Sequence, residues 1–190
     1  MYPNGTQGTG SMGDPHLALL EGIAHGDEGA FEMLVKRYQG PLLNFVARFG
    51  DRDMAEDVTQ EVFLRIHRAA PHFKPTAKVS TWIFQIAYNQ AMTAIGRRKR
   101  QRDLEELLYQ ETEESIERPL SGPTEHFDLE EEITSALDRL PDNQRAALLL
   151  RANEGLSYRE IGAVLGVSVQ SVESLLFRAR TNLKGYFERK

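Results

Sequence analysis

The chain has 190 residues, of which 41% are hydrophobic and 8% aromatic, and its formal net charge at pH 7 is −5. It contains no cysteine, which excludes disulfides and thiolate metal sites. No apolar run approaches the ~20 residues of a membrane span, and the N-terminus lacks the pattern of a secretory signal. These features predict a cytoplasmic protein with one ordinary domain or two small ones.

The net charge conceals an uneven distribution along the chain. Residues 103–132 hold twelve acidic residues and one basic residue, Arg118, whereas the rest holds 22 basic and 16 acidic residues. Two basic blocks joined by an acidic segment indicate that the blocks bind a polyanion. Composition alone favours the simpler interpretation, a solvated linker between ordinary domains.

Helical patterns account for the first basic block. Residues 1–15 are rich in Gly, Thr, Asn and Pro and are expected to be disordered. The following helices are expected to start at Leu17, at an N-cap on Asp27, at Pro41 and at an N-cap on Asp53. The helix from Asp53 should reach about Ala70, and its residues Ala55, Val58, Val62 and Ile66 should face inward.

The same helix carries a second stripe that mixes acids with an exposed apolar residue. Asp57, Gln60, Glu61 and Leu64 share one face at helical spacing. A purely solvated face would seldom need Leu64. The stripe therefore suits a basic partner surface with an apolar centre.

A long basic helix is expected next. Pro71 and Pro75 predict a loop, after which Ser80 or Thr81 can cap a helix that reaches GRRKR at 96–100. Five cations in six residues, 97–102, predict a phosphate-binding patch, since helix-dipole compensation explains only one or two of them. These cations are Arg97, Arg98, Lys99, Arg100 and Arg102.

The second block predicts further short helices and no strands. Helices are expected at 128–139 and 142–153, with Pro141 as the stop between them. Ser157 and Glu160 form a capping box for the next helix. Gly166 can end it with a positive φ, Val167 should plug the corner, and Ser168 can cap the last helix.

This corner between two short helices is typical of a helix-turn-helix, in which the second helix enters the major groove. Val172, Leu175, Leu176 and Ala179 should face inward, and Gly162 is small where the two helices must approach closely. An αα-corner without a DNA function is the alternative. The candidate DNA-binding residues of the last helix are Ser168, Gln170, Ser171, Ser174, Phe177 and Arg178.

Several stretches stand together in the order found in one protein family. They are AEDVTQEVFLRIHR, FKPTAKVSTWIFQIAYN, RRKR, LPDNQRAALLLR and EGLSYREIGAVLGVSVQSVESLLFRARTNLK. Over about residues 17–187 the chain resembles the extracytoplasmic function (ECF) sigma factors of the sigma-70 family. The resemblance implies an all-α fold of two small helical domains, a region-2-like bundle and a region-4-like helix-turn-helix, joined by a flexible acidic linker.

The resemblance also implies domain limits. They are a disordered tail at 1–15, region 2 at 16–102, the acidic linker at 103–127 and region 4 at 128–190. The linker is expected to thread towards the RNA-exit path of the polymerase.

The resemblance implies a role for each surface. Asp57, Gln60, Glu61 and Leu64 would bind the beta-prime clamp helices of core RNA polymerase, and the polymerase beta flap would be a further contact. The loop at 73–80 and the helix after it would recognise and melt the downstream promoter element. The residues implied there are Lys78, Ser80, Trp82, Gln85, Asn89, Arg97, Arg98, Lys99 and Arg100.

The last helix would recognise the upstream element as double-stranded DNA. Trp82 is better explained as a core residue, so Asn89 and the loop are preferred for base contacts. An anti-sigma factor, able to hold the protein at the inner membrane face, is the further expected partner. No cofactor, metal, small-molecule substrate or catalytic residue is expected.

The chain departs from its relatives at a few positions. Glu173 and Leu175 stand where many relatives carry basic residues, and Thr93 stands where Asp is common. Two other functions compete with the sigma factor. A helix-turn-helix regulator outside the polymerase would leave residues 53–100 unexplained, and a helical enzyme would need a catalytic constellation that the scattered histidines do not form.

Overall fold

The computed structural model describes residues 14–109 and 129–188, and these ranges contain helices and no strands. The predicted all-α fold is confirmed. The helices are α1 (Leu17–Ala24), α2 (Glu28–Val46), α3 (Arg52–Ala69), α4 (Val79–Tyr109), α5 (Leu129–Asp138), α6 (Asp142–Ala152), α7 (Tyr158–Leu165) and α8 (Val169–Phe187), with a 3₁₀ turn at Ala70–His72.

Side-chain caps fix the starts of α2 and α3. The carboxylate of Asp27 accepts a hydrogen bond from the backbone N–H of Ala30 at 3.1 Å, which confirms the predicted cap. At α3 the cap is Asp51, which accepts from the N–H of Met54 at 2.9 Å, so the prediction of Asp53 was wrong. Asp53 lies in the first turn instead, where the partial positive charge of the helix N-terminus favours an acidic side chain.

Proline 41 does not start a helix, contrary to the prediction, but lies inside α2. Proline lacks an N–H and its ring crowds the preceding turn, which normally limits it to a first turn. Here Leu34 and Tyr38 before the proline and Leu42 after it are all buried on one face. Burial of that continuous face keeps the helix intact through the weak position.

The core of the first unit, α1 to α4, is formed mainly by α2, α3 and α4. Leu34, Leu42, Ile66, Ile83 and Phe84 are each at most 1% exposed. The predicted inward face of α3 is confirmed, because Ala55, Val58, Val62 and Ile66 are all buried.

The start of α4 is capped by a residue distant in sequence. The carboxylate of Asp14 accepts from the backbone N–H of Val79 at 2.6 Å, and the carbonyl of Lys78 accepts from the N–H of Trp82. The predicted cap on Ser80 or Thr81 was therefore wrong, and Thr81 is buried at 2% exposure. Asp14 thus supplies an acceptor to a helix end that lacks its own capping side chain.

Helix α4 continues through the basic cluster to Tyr109, into the acidic segment. The helix therefore extends beyond residue 102, the predicted end of region 2, into the predicted linker. The predicted tail lies outside the described residues except for Asp14 and Pro15, and most of the predicted linker, 110–127, lies outside them too.

The second unit, α5 to α8, contains the predicted corner. Ser157 and Glu160 form the capping box, Gly166 ends α7 with φ at 68°, and Ser168 caps α8. A Cβ on Gly162 would lie 2.8 Å from the carbonyl oxygen of Val167, which confirms the close approach. The side chain of Val167 is 39% exposed, so the predicted plug was wrong: its backbone, not its side chain, faces Gly162.

The two units contact each other at two places. Near the end of α2, the guanidinium of Arg145 donates to the backbone carbonyl of Arg48, and it also donates to the carbonyls of Asp138 and Leu140 at 3.0 and 3.1 Å. Arg48 in turn donates to the hydroxyl of Thr134 at 2.7 Å. The second contact places α7 against α4.

In the described part of the chain, no helix alone is long and apolar enough to cross a membrane. Helices α7 and α8 pass on length and composition only when taken together, and they are bent by 96° at their junction.

Candidate nucleic-acid interface

Four of the predicted partner-binding residues form one exposed stripe on α3, here called the α3 stripe: Asp57, Gln60, Glu61 and Leu64. Asp57 and Gln60 are exposed, and Leu64 is 49% exposed despite its apolar side chain. Glu61 accepts a hydrogen bond from Arg65 at 2.8 Å, an exposed pair that restrains it only weakly. The structure therefore brings all four together on the face opposite the core.

A groove between α3 and α4 is lined by two acids and Arg65 from α3 and by two arginines from α4. Asp57 and Glu61 line one wall, and Arg97 and Arg98 line the other. Arg98 also donates to the carboxylate of Asp51, and this hydrogen bond holds the pKa of Asp51 below its ordinary value. Arg98 is therefore tied to the start of α3 rather than held out towards a partner.

The rest of the basic cluster on α4 is exposed. Arg97, Lys99 and Arg100 form no ion pair among the residues the structure describes. Because they lie within one helical turn, they concentrate positive charge at one place on the surface. This arrangement suits a phosphate backbone.

The start of α4 is occupied by the second unit. The ammonium of Lys78 lies 2.9 Å from the carboxylate of Glu160, and the side-chain amide of Gln85 donates to the carbonyl of Ala163 at 3.0 Å. The hydrogen bond to Glu160 raises the pKa of Lys78. Both predicted DNA contacts are therefore engaged by α7.

The pKa of Glu160 reflects opposing influences. Burial acts to raise it, but hydrogen bonds from Lys78 and from Ser157 outweigh burial and leave it below the ordinary value. The same carboxylate thus completes the capping box of α7 and binds α4.

The remaining predicted residues of this face differ in exposure. Trp82 is half-buried and packs on Phe73 with ring centroids 4.9 Å apart, so part of the ring is available beside the loop. Ser80 is half-buried as well. Asn89 is exposed, and its backbone carbonyl accepts from the hydroxyl of Thr93 at 2.7 Å.

The outward face of α8 carries the third set of predicted site residues, those expected to bind the upstream element. The inward side is buried through Val172, Leu176 and Ala179, with Leu175 half-buried. On the outward side Phe177 is 70% exposed and Arg178 is exposed. Phe177 and Arg178 therefore present an aromatic ring and a positive charge side by side on the outward face.

The serines of α8 are mainly committed to the helix itself. Ser168 accepts from the N–H of Ser171 at 3.1 Å, and the two hydroxyls are 2.9 Å apart. Ser174 donates to the carbonyl of Gln170 at 3.1 Å. The exposed side chains of Gln170, Glu173, Phe177 and Arg178 are therefore the groups best placed for bases or phosphates.

Sequence reasoning missed two residues, and it noted a third, Glu173, only as a departure from the relatives. Asp14 and Arg145 act through contacts with residues distant in sequence, 65 positions away for Val79 and 97 for Arg48, and no local pattern indicates such contacts. Glu173 is exposed on the outward face of α8. Its spacing from Gln170 and Phe177 could have placed it in the candidate set.

Taken together, a helix-turn-helix with an exposed helix and a second helical unit with a basic helix and an acidic stripe define a two-unit nucleic-acid-binding protein. Residues 34–101 match the family model of Sigma-70 region 2, and residues 130–183 match that of Sigma-70, region 4.

Individual relatives agree with the two family models. The chain is 34% identical over 171 residues to the RNA polymerase sigma-H factor of Pseudomonas aeruginosa, covering 85% of this chain and 88% of that protein. It is 35% identical over 170 residues to the ECF RNA polymerase sigma-E factor of Escherichia coli K12, with the same coverage.

Solved structures share the fold. The structure of CnrH in complex with the cytosolic domain of CnrY matches with a TM-score of 0.68 and 27% identity, over 92% of this chain and 98% of that one. The sigma factor RpoE from Bartonella quintana, solved with the anti-sigma factor NepR, matches with a TM-score of 0.65, 24% identity and coverages of 83% and 96%.

The chain belongs to the extracytoplasmic function branch of the sigma-70 family and is an RNA polymerase sigma factor, a transcription initiation factor. The alternative of a regulator outside the polymerase is not favoured, because it leaves the region 2 match unexplained.

Proposed function

We propose that this sigma factor directs core RNA polymerase to promoters through three separate surfaces. The α3 stripe binds the beta-prime clamp helices, the start of α4 with its basic cluster binds and melts the downstream element, and the outward face of α8 recognises the upstream element. The observation that carries the proposal is the α3 stripe, which keeps Leu64 49% exposed between acidic and amide side chains.

The composition of the α3 stripe fits a basic helical partner. Acidic side chains steer a basic surface towards the stripe and oppose wrong partners. Leu64 supplies apolar area at the centre, where interfaces exclude water and gain most of their affinity. Positive charge on the partner would also satisfy Asp57, which forms no ion pair within the described ranges.

The α4 surface has the groups that hold melted DNA. Trp82 and Phe73 offer aromatic area for an unstacked base, and Asn89 offers an exposed amide. Arg97, Lys99 and Arg100 supply cations further along the same helix for the backbone. Stacking, hydrogen bonding and charge are therefore combined on one helix.

The contacts with α7 restrict the access of DNA to the start of α4. Lys78 and Gln85 are engaged by Glu160 and by the carbonyl of Ala163. Both contacts must therefore break before these side chains bind DNA, and movement of the second unit away from α4 would break them together. Binding of the two units to separate sites on the polymerase would supply that separation.

A regulatory protein is the second proposed partner. The similar protein CnrH was solved in complex with the cytosolic domain of CnrY. By resemblance, we expect an anti-sigma factor that covers the α3 stripe and the second unit, in the cytoplasm or at the inner face of the membrane. Binding there would compete directly with the polymerase.

A paired charge reversal tests the α3 stripe. The double variant Asp57→Lys with Glu61→Lys should lose binding to purified core polymerase by at least tenfold, because both steering charges then repel a basic partner. The matched control is Glu28→Lys with Glu32→Lys, which reverses two acids at the same spacing on α2.

The assay is co-purification with core polymerase, followed by transcription from a promoter library, with circular dichroism to show that both variants are helical. Equal polymerase binding by the two double variants would refute the α3 stripe as the polymerase contact. If the unaltered chain failed to bind core polymerase, the whole proposed function would be wrong.

A further inference from the structure

One acidic residue stands within the proposed DNA-binding face of α8. Glu173 is exposed, and together with Ser174, Phe177 and Arg178 it lines a shallow depression on the surface. On the helical wheel Glu173 lies about 100° from the buried Val172 and close to the exposed Gln170 and Phe177. Glu173 therefore points in the direction of the groups proposed to meet DNA.

Glu173 lacks the charge compensation that three other glutamates of this chain have. Glu56, Glu61 and Glu188 each pair with a cation four residues away. At the corresponding positions around Glu173, three and four residues to either side, stand Val169, Gln170, Leu176 and Phe177. No ion pair to Glu173 forms among the described residues.

An uncompensated carboxylate is unfavourable next to DNA unless it gains a hydrogen-bond donor. The phosphates repel it, and most groups in the major groove are acceptors. The donors available there are the N4 amine of cytosine and the N6 amine of adenine. Adenine also presents its N7 acceptor beside the amine, which repels the second carboxylate oxygen, so cytosine fits better.

We infer that Glu173 is a specificity-determining residue that selects cytosine at one position of the upstream promoter element. The inference rests on the proposed function, in which the outward face of α8 enters the major groove. The side chain accepts from the N4 amine, while Arg178, one turn further along the helix, is free for a phosphate. The same carboxylate disfavours every base that offers only acceptors at that position.

Selection from a promoter library tests this assignment. Holoenzyme reconstituted from core polymerase and the full chain is given promoters randomised across the upstream element, and the selected sequences are read. The unaltered chain should enrich cytosine at one position. A single well-formed contact discriminates by roughly tenfold.

Two substitutions should change the preferred base rather than only the affinity. Glu173→Gln should shift the preference at that position to adenine, and Glu173→Arg should shift it to guanine, following the hydrogen-bonding groups of amide and guanidinium. Glu188→Gln is the matched control, since it removes the same charge near the end of α8. It should leave the selected sequence unchanged.

The outcomes separate the inference from the proposed function. If both Glu173 variants bind all sequences more tightly but select the same bases as the unaltered chain, Glu173 acts only through its charge and the inference is wrong. If the unaltered holoenzyme selects no upstream sequence at all, both the inference and the role proposed for α8 are wrong. Thermal unfolding of each variant confirms that the exposed substitutions preserve the fold.

Discussion

Helices α4 and α8 are both proposed to bind promoter DNA, yet the structure presents them differently. At the start of α4, Lys78 and Gln85 are engaged by residues of α7. On α8, Phe177 is 70% exposed and Arg178 forms no ion pair within the described ranges. One proposed DNA-binding face is partly covered by the chain itself, and the other is open.

The difference follows from how each helix is supported. Helix α8 is held by its own unit, through a capped start and a buried inward face. The start of α4 is held partly by contacts from Asp14 and from α7. Under the proposed function, α8 is open to duplex DNA as it stands, whereas Lys78 and Gln85 would first have to break their contacts with α7.

The largest effect on the free energy of unfolding is expected at Arg145, which joins the second unit to the end of α2. Arg145 is 8% exposed, and its guanidinium donates hydrogen bonds to the backbone carbonyls of Arg48, Asp138 and Leu140. Arg145→Leu should lower the free energy of unfolding by about 3 kcal/mol, because three buried or partly buried carbonyls lose their donor. Urea denaturation measures this loss, and hydrogen exchange should show faster exchange in α7.

Arg159→Leu provides the control for Arg145. Arg159 is exposed on α7 and makes no contact of this kind among the described residues. Its substitution should change stability by less than about 0.5 kcal/mol. Equal losses for the two variants would contradict the role of Arg145 as the link between the units.

A smaller effect is expected at the corner that positions α8. A Cβ at Gly162 would lie 2.8 Å from the backbone oxygen of Val167, so Gly162→Ala should destabilise the second unit by about 1–3 kcal/mol. Gly96→Ala in α4 is the matched control, because its Cβ would meet only the end of the Arg100 side chain, at 3.9 Å. That change should be neutral or stabilising by up to about 1 kcal/mol, since alanine favours helix.

Thermal unfolding compares the two alanine variants, and binding to upstream duplex DNA by the holoenzyme shows the consequence for α8. Destabilisation by Gly96→Ala and not by Gly162→Ala would reverse the expectation and contradict the close approach at the corner.

The smallest effect is expected at the ion pair between the units. Glu160→Gln keeps the capping box, which accepts glutamine, but removes the charge that binds Lys78. Because Lys78 is 60% exposed, solvent screening limits the loss to less than about 1 kcal/mol. Lys78 should then react faster with an acylating reagent, while the helical content is preserved.

The pH dependence of this contact follows from the lowered pKa of Glu160. A carboxyl with a lower pKa in the folded state stabilises the contact above its ordinary value of 4.5, and this contribution is lost as the pH falls through the folded pKa. Lys78 reactivity, corrected for the reagent's own pH dependence, should therefore rise on acidification in the unaltered chain and stay flat in Glu160→Gln. The same slope in both would exclude Glu160 as the titrating group.

The parts of the fold that depend on neighbouring residues were predictable from the sequence. The capping box of Ser157 and Glu160, the positive φ of Gly166 and the cap on Ser168 each involve residues within a few positions of one another. The α3 stripe was predictable for a related reason, because helical periodicity alone decides which side chains share a face.

The errors arose where tertiary contacts outweigh local preference. Pro41 is a typical helix start, but the buried face of α2 keeps the helix continuous through it. Val167 is apolar and was expected inside, but the space beside Gly162 is filled by backbone. The engagement of Lys78 and Gln85 by α7 depends on packing between units, which no local pattern in the chain encodes.

The hydrogen bond from Val79 to Asp14 has a practical consequence for work with this protein. An affinity tag fused directly ahead of Asp14, or proteolysis close to it, would weaken the hydrogen bond to the backbone N–H of Val79, sixty-five positions away. Val79 is the first residue of α4, the helix proposed to bind melted DNA. Fusions at the opposite terminus would avoid this effect, so the choice of tag position should itself alter promoter opening.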